Sequence, residues 1–395
     1  MKCWRFALFA ILAVALAAAA CGPHHHHGDD DSSPPADDDN DTTTPDDDDN
    51  DDASPPADDD DLATDIFVVG DHGAILHFDG TTWSPMQSGT TVDLGSTWGA
   101  SGSDVYASGT TYQYYESPLA SAILHYDGST WSSVRNFPTT QKIEILAGLW
   151  GMDSSNVFVA GGEIFGYETA SNPLVQGIIF QYNGVSWSIA WQYGAFYLGY
   201  FTFAGIWGSS ASDVFAVGNW DNEDLINPVS GFVVAHFDGN SWTPMHSASN
   251  VGGYYHLSAI WGASHSNVFA VGNSGYPNYG DMVLHYDGSQ WSEMSVPEGG
   301  GGLYSVWGTS STAVFSTGAT PSMGYVLYYD SYDWSRANLD NNTLFYGLWG
   351  ASPHDVFTAG DSGQGVIYHY NGSSWSPIDV GANIAGLAGI WGTAR

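Results

Sequence analysis

Positive charge is the scarcest property of this 395-residue chain. It has 6 lysines and arginines against 43 aspartates and glutamates, a formal net charge of −37 at pH 7. Residues 65–395 alone hold 26 acidic and 4 basic residues, a formal charge of −22. Because a surface of this sign repels phosphate, the charge disfavours nucleic acids and anionic lipid headgroups as partners of this part of the chain.

Cysteine is almost as rare, and Cys3 and Cys21 both lie near the N terminus. The stretch MKCWRFALFAILAVALAAAAC has a basic start, an apolar run and small residues before Cys21, which predicts an export signal over residues 1–20. The run is too short for a transmembrane helix with ordinary flanks. Removal of the signal leaves Cys21 as the single thiol of an exported chain, which indicates a covalent use for it.

This N-terminal segment resembles a bacterial lipoprotein signal peptide. The resemblance implies cleavage before Cys21, lipid attachment to its thiol, and a location in the bacterial cell envelope. Gly22 follows the cysteine in place of the Asp that is linked with inner-membrane retention, which implies the outer membrane, on its periplasmic or its surface face. Ordinary cleavage after Ala20, without a lipid, is the alternative.

Residues 21–64 have a composition unlike the rest of the chain. They contain 17 of the 43 acidic residues, in runs of Asp separated by Pro, Ser and Thr. Like charges repel and Pro interrupts regular structure, so we expect a disordered tether. The run His24–His27 has two interpretations, metal capture and low-complexity drift beside an anchor, and such biased tracts favour the second.

From residue 65 onward the chain repeats two short phrases seven times each. The first phrase is a Trp-Gly pair, and its tryptophans are Trp98, Trp150, Trp207, Trp261, Trp307, Trp349 and Trp391. The second phrase, of the form HYDGSTW, ends at Trp83, Trp131, Trp187, Trp242, Trp291, Trp334 and Trp375. A recurrence at 42 to 57 residues indicates a supersecondary unit that stacks on copies of itself.

Each repeat reads as four short antiparallel strands. Runs such as DVFAVG and AILHYDG are rich in β-branched and aromatic residues and end in Gly, Asp or Asn, and the Asp-Gly pairs are hairpin signals. Four strands per repeat is the pattern of a propeller blade. The repeats open at Asp65 without a Trp-Gly strand and close with LAGIWGTAR, which is only that strand. We therefore predict an all-β, seven-bladed propeller over 65–395, closed by pairing the C-terminal strand with the first three strands.

The blocks WGSSASDVFAVG and HFDGNSW resemble the propeller repeats of secreted and lipid-anchored bacterial proteins, with a pattern related to Asp-box (BNR-type) propellers. The resemblance covers residues 65–395 and implies the fold. The chain departs from the Asp box in having His and Tyr or Phe, rather than Ser, before the Asp. Function stays open at this point, since propellers serve as enzymes, lectins and scaffolds.

Five histidines occupy one equivalent position in their repeats. They are His77, His125, His236, His285 and His369. Equivalent positions lie a whole blade apart, too far to share an ion with ligands at about 2 Å, so we expect hydrogen-bonded packing rather than a metal site. The recurrent tryptophans are expected to fill the space between blades.

Loop length varies on one face of the predicted propeller. The distance from the Gly after the Val-Phe strand to the His position runs 7, 16, 20, 18, 13, 10 and 9 residues, and blade-to-blade connections lengthen with it. Long loops on consecutive blades, rich in aromatic residues, indicate binding, whereas packing of these rings onto the propeller is the alternative. The candidate binding residues are Tyr114, Tyr115, Trp191, Trp220, Tyr254 and Tyr255.

Signs of catalysis are few. Sialidase-like propellers need clustered arginines, and the three that follow the signal, Arg135, Arg336 and Arg395, lie in different repeats. Asp93 and Glu144 are the carboxylates expected near the channel mouth, and they would be the acid and base of a glycoside-cleaving enzyme. We expect instead a non-enzymatic, monomeric binding or scaffold protein with a protein or glycan partner and no cofactor. Only the lipid on Cys21 would contact a membrane.

Overall fold

The repeated phrases form four-stranded antiparallel blades in a computed structural model of the chain. The structure describes residues 63–112, 120–136, 143–169, 172–194, 200–221, 229–251, 255–275, 280–297, 300–381 and 384–394. Across these ranges the regular structure is β-strand apart from one 3-10 turn, Asp71–Gly73. No helix within them has the length and apolar character needed to cross a membrane.

The Trp-Gly phrase forms the innermost strand of each blade, and the Val-Phe run forms the second. The innermost strands, from blade 1 to blade 7, are β28 (Leu387–Ala394), β4 (Ser96–Ser101), β8 (Ile143–Asp153), β12 (Tyr200–Ser210), β16 (His256–Ser264), β20 (Leu303–Ser310) and β24 (Leu344–Ser352). The second strands are β1 (Ala63–Gly70), β5 (Asp104–Thr111), β9 (Asn156–Thr169), β13 (Asp213–Asp221), β17 (Asn267–Ser274), β21 (Ala313–Thr320) and β25 (Asp355–Asp361).

The phrase that ends in Asp/Asn-x-x-x-Trp forms the hairpin of the two outer strands. The third strands are β2 (Ile75–Phe78), β6 (Ala120–Tyr126), β10 (Asn172–Tyr182), β14 (Val229–Phe237), β18 (Gly280–Tyr286), β22 (Met323–Tyr329) and β26 (Gly365–Tyr370). The outermost strands are β3 (Trp83–Met86), β7 (Trp131–Asn136), β11 (Trp187–Tyr193), β15 (Trp242–Val251), β19 (Trp291–Met294), β23 (Trp334–Asn341) and β27 (Trp375–Ile378).

The two ends of the chain complete blade 1, so the predicted seven-bladed propeller and its closure are confirmed. Strand β28 pairs antiparallel with β1, with Trp391 opposite Phe67, and the sheet order is β28-β1-β2-β3. The innermost strands contact one another in a closed cycle, from β28 to β4 and onward to β24, which returns to β28. The first strand begins at Ala63, two residues before the predicted boundary.

The Trp-Gly pair is the contact between neighbouring blades. Each Gly lies under the indole ring of the preceding blade, so close that a Cβ would come within 2.5 to 2.9 Å of the ring. The Gly and Trp partners are Gly99 and Trp391, Gly151 and Trp98, Gly208 and Trp150, Gly262 and Trp207, Gly308 and Trp261, Gly350 and Trp307, and Gly392 and Trp349. Each Trp-Gly dipeptide therefore takes part in two interfaces. Its Trp ring packs on the Gly of the next blade, and its Gly leaves room for the Trp ring of the preceding blade.

The second phrase is explained by its hairpin. In blade 1, Asp79 Oδ1 accepts the backbone N–H groups of Thr81 at 2.9 Å and Thr82 at 2.8 Å, and Gly80 has a φ of 88°. The ring just before the Asp lies in register with the Trp that ends the phrase, as Phe78 with Trp83, whose centroids are 5.2 Å apart. The turn thus fixes the register that brings the two rings together.

Gly262→Ala should destabilise the propeller, because the new methyl group would lie 2.6 Å from the Trp207 ring and would displace it. We expect a loss of about 1 to 3 kcal/mol in the free energy of unfolding, measured by urea denaturation. Gly166→Ala is the matched control, since its Cβ would meet Leu174 at an ordinary 3.6 Å. Equal losses in the two variants would contradict the role given to the Trp-Gly pair.

Candidate functional site

The two faces of the propeller are built differently. We call the face with the turns between first and second strands and with the Asp/Asn-Gly hairpins the turn face, and the opposite one the loop face. On blades 3 and 4 part of the length predicted as loops consists of extended strands: β9 has 14 residues, and β10 and β12 have 11 each. Val175 on β10 pairs in parallel with Tyr200 on β12, which joins blades 3 and 4 into one eight-stranded sheet.

A small apolar cluster supports these strand extensions. Buried Ile145, Ile164 and Val175 pack with Tyr112 and Tyr200. The Tyr112 hydroxyl is hydrogen-bonded to Tyr200, yet burial raises the pKa of Tyr112 well above its ordinary value. Among the described residues, the extended strands of blade 3 therefore pack against Tyr112 of blade 2 and Tyr200 of blade 4.

Two of the candidate binding tryptophans lie on strands within this region. Trp191 on β11 stacks on Trp242 with ring centroids 5.5 Å apart and planes 7° apart. Trp220 on β13 lies over Gly231, where a Cβ would come within 2.8 Å of the indole. Both rings are half-buried and pack against the core between blades 3 and 4. These contacts agree with the alternative interpretation of the aromatic residues, in which the rings pack onto the propeller.

Tyr255, by contrast, lines a cleft between blades 4 and 5. Tyr114, Tyr115 and Tyr254 lie outside the described residues. The cleft has a volume of about 400 Å³, and its walls are Phe232, His246, Ala248, Ser249, Tyr255, Met282, Leu284, Trp291 and Glu293. The backbone N–H of Tyr255 donates to Ser230 Oγ at 3.0 Å, which fixes the tyrosine at the edge of the cleft.

The cleft combines four rings with a few polar groups. The Phe232 ring centroid lies 5.7 Å from that of His246 and 6.3 Å from that of Tyr255, and His246 is stacked 6.4 Å from Trp291. Burial lowers the pKa of His246, so its imidazole is neutral at pH 7 and offers one donor and one acceptor. Exposed Glu293 adds a carboxylate. Such a surface stacks flat groups and hydrogen-bonds their edges.

Asp93 and Glu144 have separate partners in the structure. Asp93 Oδ1 accepts the backbone N–H of His72 from blade 1 at 2.7 Å. Glu144 forms an ion pair at 3.6 Å with Arg135, which lies on the outermost strand of blade 2. Both carboxylates belong to residues that are more than nine-tenths buried. Each is therefore engaged with a neighbouring blade.

The carboxylate that lies next to Glu144 in the sheet is Glu163, which the sequence did not single out. Glu144 on β8 is directly opposite Glu163 on β9, and Glu163 is 1% exposed. Glu163 Oε2 accepts from Gln176 at 2.6 Å and from Gln192 at 3.2 Å. Two amide donors and one guanidinium thus offset the repulsion of two buried carboxylates.

A second cleft, of about 630 Å³, lies between blades 2 and 3. Its walls are Tyr106, His125, Val134, Arg135, Tyr182, Val185, Ser186 and Trp187. Arg135 is shared with the Glu144 ion pair, and its guanidinium also lies 4.2 Å above the Phe180 ring. Val185 in the hairpin turn is 87% exposed. This cleft opens near the turn face and was not indicated by loop length.

Arg135→Met should destabilise the chain, because it leaves two buried carboxylates in register without their cation. We expect a loss of about 3 kcal/mol in the free energy of unfolding at pH 7. Adding Glu144→Gln to this variant should restore most of the lost stability. The unchanged chain, the two single variants and the double variant form a double-mutant cycle, which is measured by urea denaturation. A coupling energy below about 0.5 kcal/mol would mean that the ion pair is not the reason for the loss.

No protein-family model matches the chain, and no curated protein matches it in sequence. Solved β-propeller structures do match. YCF48 from Cyanidioschyzon merolae is 14% identical with a TM-score of 0.51, over 78% of this chain and 91% of that one. A Lactobacillus plantarum protein is 9% identical with a TM-score of 0.50, over 83% and 99%. A prolyl endopeptidase is 13% identical with a TM-score of 0.50, over 80% of this chain but 48% of its own. At these identities the similarity shows the propeller fold alone.

Proposed function

We propose that this chain is a non-enzymatic binding propeller that recognises a protein or a glycan at the cleft between blades 4 and 5. The observation that carries the proposal is the convergence of Phe232, His246, Tyr255 and Trp291 around about 400 Å³ of accessible space. Aromatic walls provide contact area at a small entropic cost, and a few polar groups provide orientation. This combination suits a sugar ring or an extended peptide segment.

Surface charge narrows the class of partner. The formal charge of −22 over residues 65–395 disfavours polyanions and favours neutral or cationic groups. Within the cleft, Glu293 is exposed and His246 is uncharged at pH 7, so the site itself is acidic. A neutral glycan or a peptide with a basic residue meets both conditions.

Tyr255→Ala should weaken binding with little effect on stability, because its ring lies at the edge of the cleft and is half-exposed. We expect a loss of about 2 kcal/mol in binding free energy, the size typical of an aromatic anchor. Binding is screened on a glycan array and a displayed peptide library, and affinity for the best probe is measured by calorimetry. Tyr332→Ala, which removes a ring that is 87% exposed on a turn-face hairpin, is the matched control.

The packing alternative makes the opposite forecast. It expects Tyr255→Ala to lower the free energy of unfolding by about 1 to 3 kcal/mol while the folded fraction keeps its affinity. If Trp291→Ala gave the same result, the cleft would not be the binding site.

Glycoside cleavage is the competing function. It requires two carboxylates on either side of one scissile bond. Asp93 and Glu144 bond to different blades, and the Glu144–Glu163 pair is held by Arg135, Gln176 and Gln192. The same calorimetric samples decide between the functions, since glycan recovered intact after long incubation supports binding, whereas new reducing ends support hydrolysis.

We also propose that a lipid on Cys21 anchors the propeller in the bacterial outer membrane, with residues 22–64 as the tether. Support comes from the small residues before Cys21 and from its being the single thiol left after signal removal. Residues 1–62 lie outside the described ranges.

Cys21→Ser should move the chain from the membrane fraction to the soluble fraction, because one acyl-bearing thiol is removed. The measurement is detergent partitioning and immunoblotting of fractionated cells. Cys3→Ser is the control, since Cys3 leaves with the signal and its loss should change nothing. Unchanged partitioning of Cys21→Ser would overturn the anchor and leave ordinary secretion.

A further inference from the structure

Four of the five recurrent histidines belong to Asp–His pairs on the turn face. In four blades an Asp within the first three residues of the second strand is hydrogen-bonded to the imidazole Nε2 of a His on the third strand. The pairs are Asp65–His77 at 2.9 Å, Asp104–His125 at 2.6 Å, Asp213–His236 at 2.6 Å and Asp355–His369 at 2.5 Å. Each of these rings also contacts an aromatic ring of the second strand, stacked in three blades and tilted by 37° for His236 and Phe215, whose centroids are 4.5 Å apart. These pairs join the second and third strands and so contribute to packing within the blade.

In blade 4 a third group joins the Asp–His pair. His265, in the turn between β16 and β17 of blade 5, places Nδ1 2.7 Å from Asp213 Oδ1. His236 Nε2 approaches the same oxygen atom at 2.6 Å, and Ser209 Oγ donates to the other carboxylate oxygen, Oδ2. The ligand atoms of Asp213, His236 and His265 all lie within 4.8 Å of one another.

The fold itself brings His265 to this place. In blades 2 and 5 the turn residue four positions after the Trp of the Trp-Gly pair approaches the Asp of the preceding blade. In blade 2 this position is Gly102, where a Cβ would lie 2.5 Å from Asp65 Oδ2. The residues at the equivalent positions are Gly102, Ser154, Ala211, His265, Ser311, Pro353 and Arg395, so blade 5 alone supplies an imidazole.

We propose that Asp213, His236 and His265 bind a divalent cation of the Zn²⁺ class at the junction of blades 4 and 5. Two imidazoles and one carboxylate are the ligand set of Zn²⁺ and its neighbours in the first transition row, whereas Ca²⁺ and Mg²⁺ prefer oxygen alone. Three protein ligands leave a fourth position for water. Solvent reaches the cluster, since the His265 side chain is 55% exposed.

The ligand atoms must move apart to accept the ion. Ligand atoms around a tetrahedral Zn²⁺ with bonds of about 2 Å lie roughly 3.3 Å apart, so the contacts of 2.6 and 2.7 Å to Asp213 Oδ1 would widen by about 0.6 to 0.7 Å. His265 is on a turn and has room to move outward. The acidic surface adds a long-range attraction for cations.

The ligands come from two blades, so the ion would clamp them together. Asp213 and His236 belong to blade 4 and His265 to blade 5, the same two blades that form the Tyr255 cleft on their other side. Within the repeats, the sequence-based expectation of no metal site considered only the equivalent histidines. His265 lies outside that series and 52 residues from Asp213, which is why the series could not reveal the site.

Zinc titration of the full chain tests the proposal. The background protein carries His24→Asn, His25→Asn, His26→Asn and His27→Asn, so that the tether histidines do not compete. We expect calorimetry to show one tight Zn²⁺ equivalent, and Co²⁺ to give the visible bands of a four-coordinate site with imidazole ligands. His265→Ala should weaken the affinity by about 100-fold or more, because even second-layer partners of a ligand contribute 10- to 100-fold.

His354→Ala is the matched control, since His354 is an exposed turn histidine of blade 7 outside the cluster, and it should retain the full affinity. Melting temperatures without metal establish that both variants fold. Zn²⁺ should raise the melting temperature of the background protein and of His354→Ala but not that of His265→Ala. The proposal is wrong if the His265→Ala and His354→Ala proteins bind Zn²⁺ equally, or if the background protein has no tight site.

Discussion

The ring depends on the contact of a tryptophan with the glycine of the next blade. A Trp ring provides a large apolar surface, and it can lie flat against the neighbouring strand only where no Cβ intervenes. Trp207 over Gly262 is one instance, and the same contact recurs at every junction of the seven blades. Closure follows from it, because blade 1, which is split between the chain ends, receives Trp349 on Gly392 and places Trp391 on Gly99. A missing dipeptide would therefore open the ring at that junction.

Features that depend on residues close together in the sequence could be predicted, because every repeat shows the same pattern. The four strands, their hairpins and the split blade followed from spacing and turn residues alone. Blade 6 departs from the repeat in reading DSYDW, and there Ser331 adopts a φ of 84°, close to the 85° to 89° of the Gly in the other six hairpins. The predicted boundary at residue 65 differed from Ala63 by two residues, a normal uncertainty at the first strand.

Contacts between blades could not be predicted from the repeat pattern, because they depend on how one blade is rotated against the next. Trp191 was assigned to a loop, yet β11 carries it onto Trp242 of blade 4. In the sequence Glu163 is one of several carboxylates near the long connections, and only the strand register shows that it lies opposite Glu144. Strand extension is hard to foresee where Gly and Tyr interrupt the alternation of apolar and polar residues, as in GEIFGYETASNP.

The junction of blades 4 and 5 is where the two faces of the propeller become linked. On one side it holds the cleft of Phe232, His246, Tyr255 and Trp291, and on the other it holds Asp213, His236 and His265. A rigid strand pair connects the two sides, since β13 begins at Asp213 and β14 runs from Val229 to Phe237, past Phe232 and His236. An ion that fixes the separation of the blades at the turn face would therefore also fix the width of the cleft, and the affinity of the cleft would depend on divalent metal without any direct contact between ion and ligand.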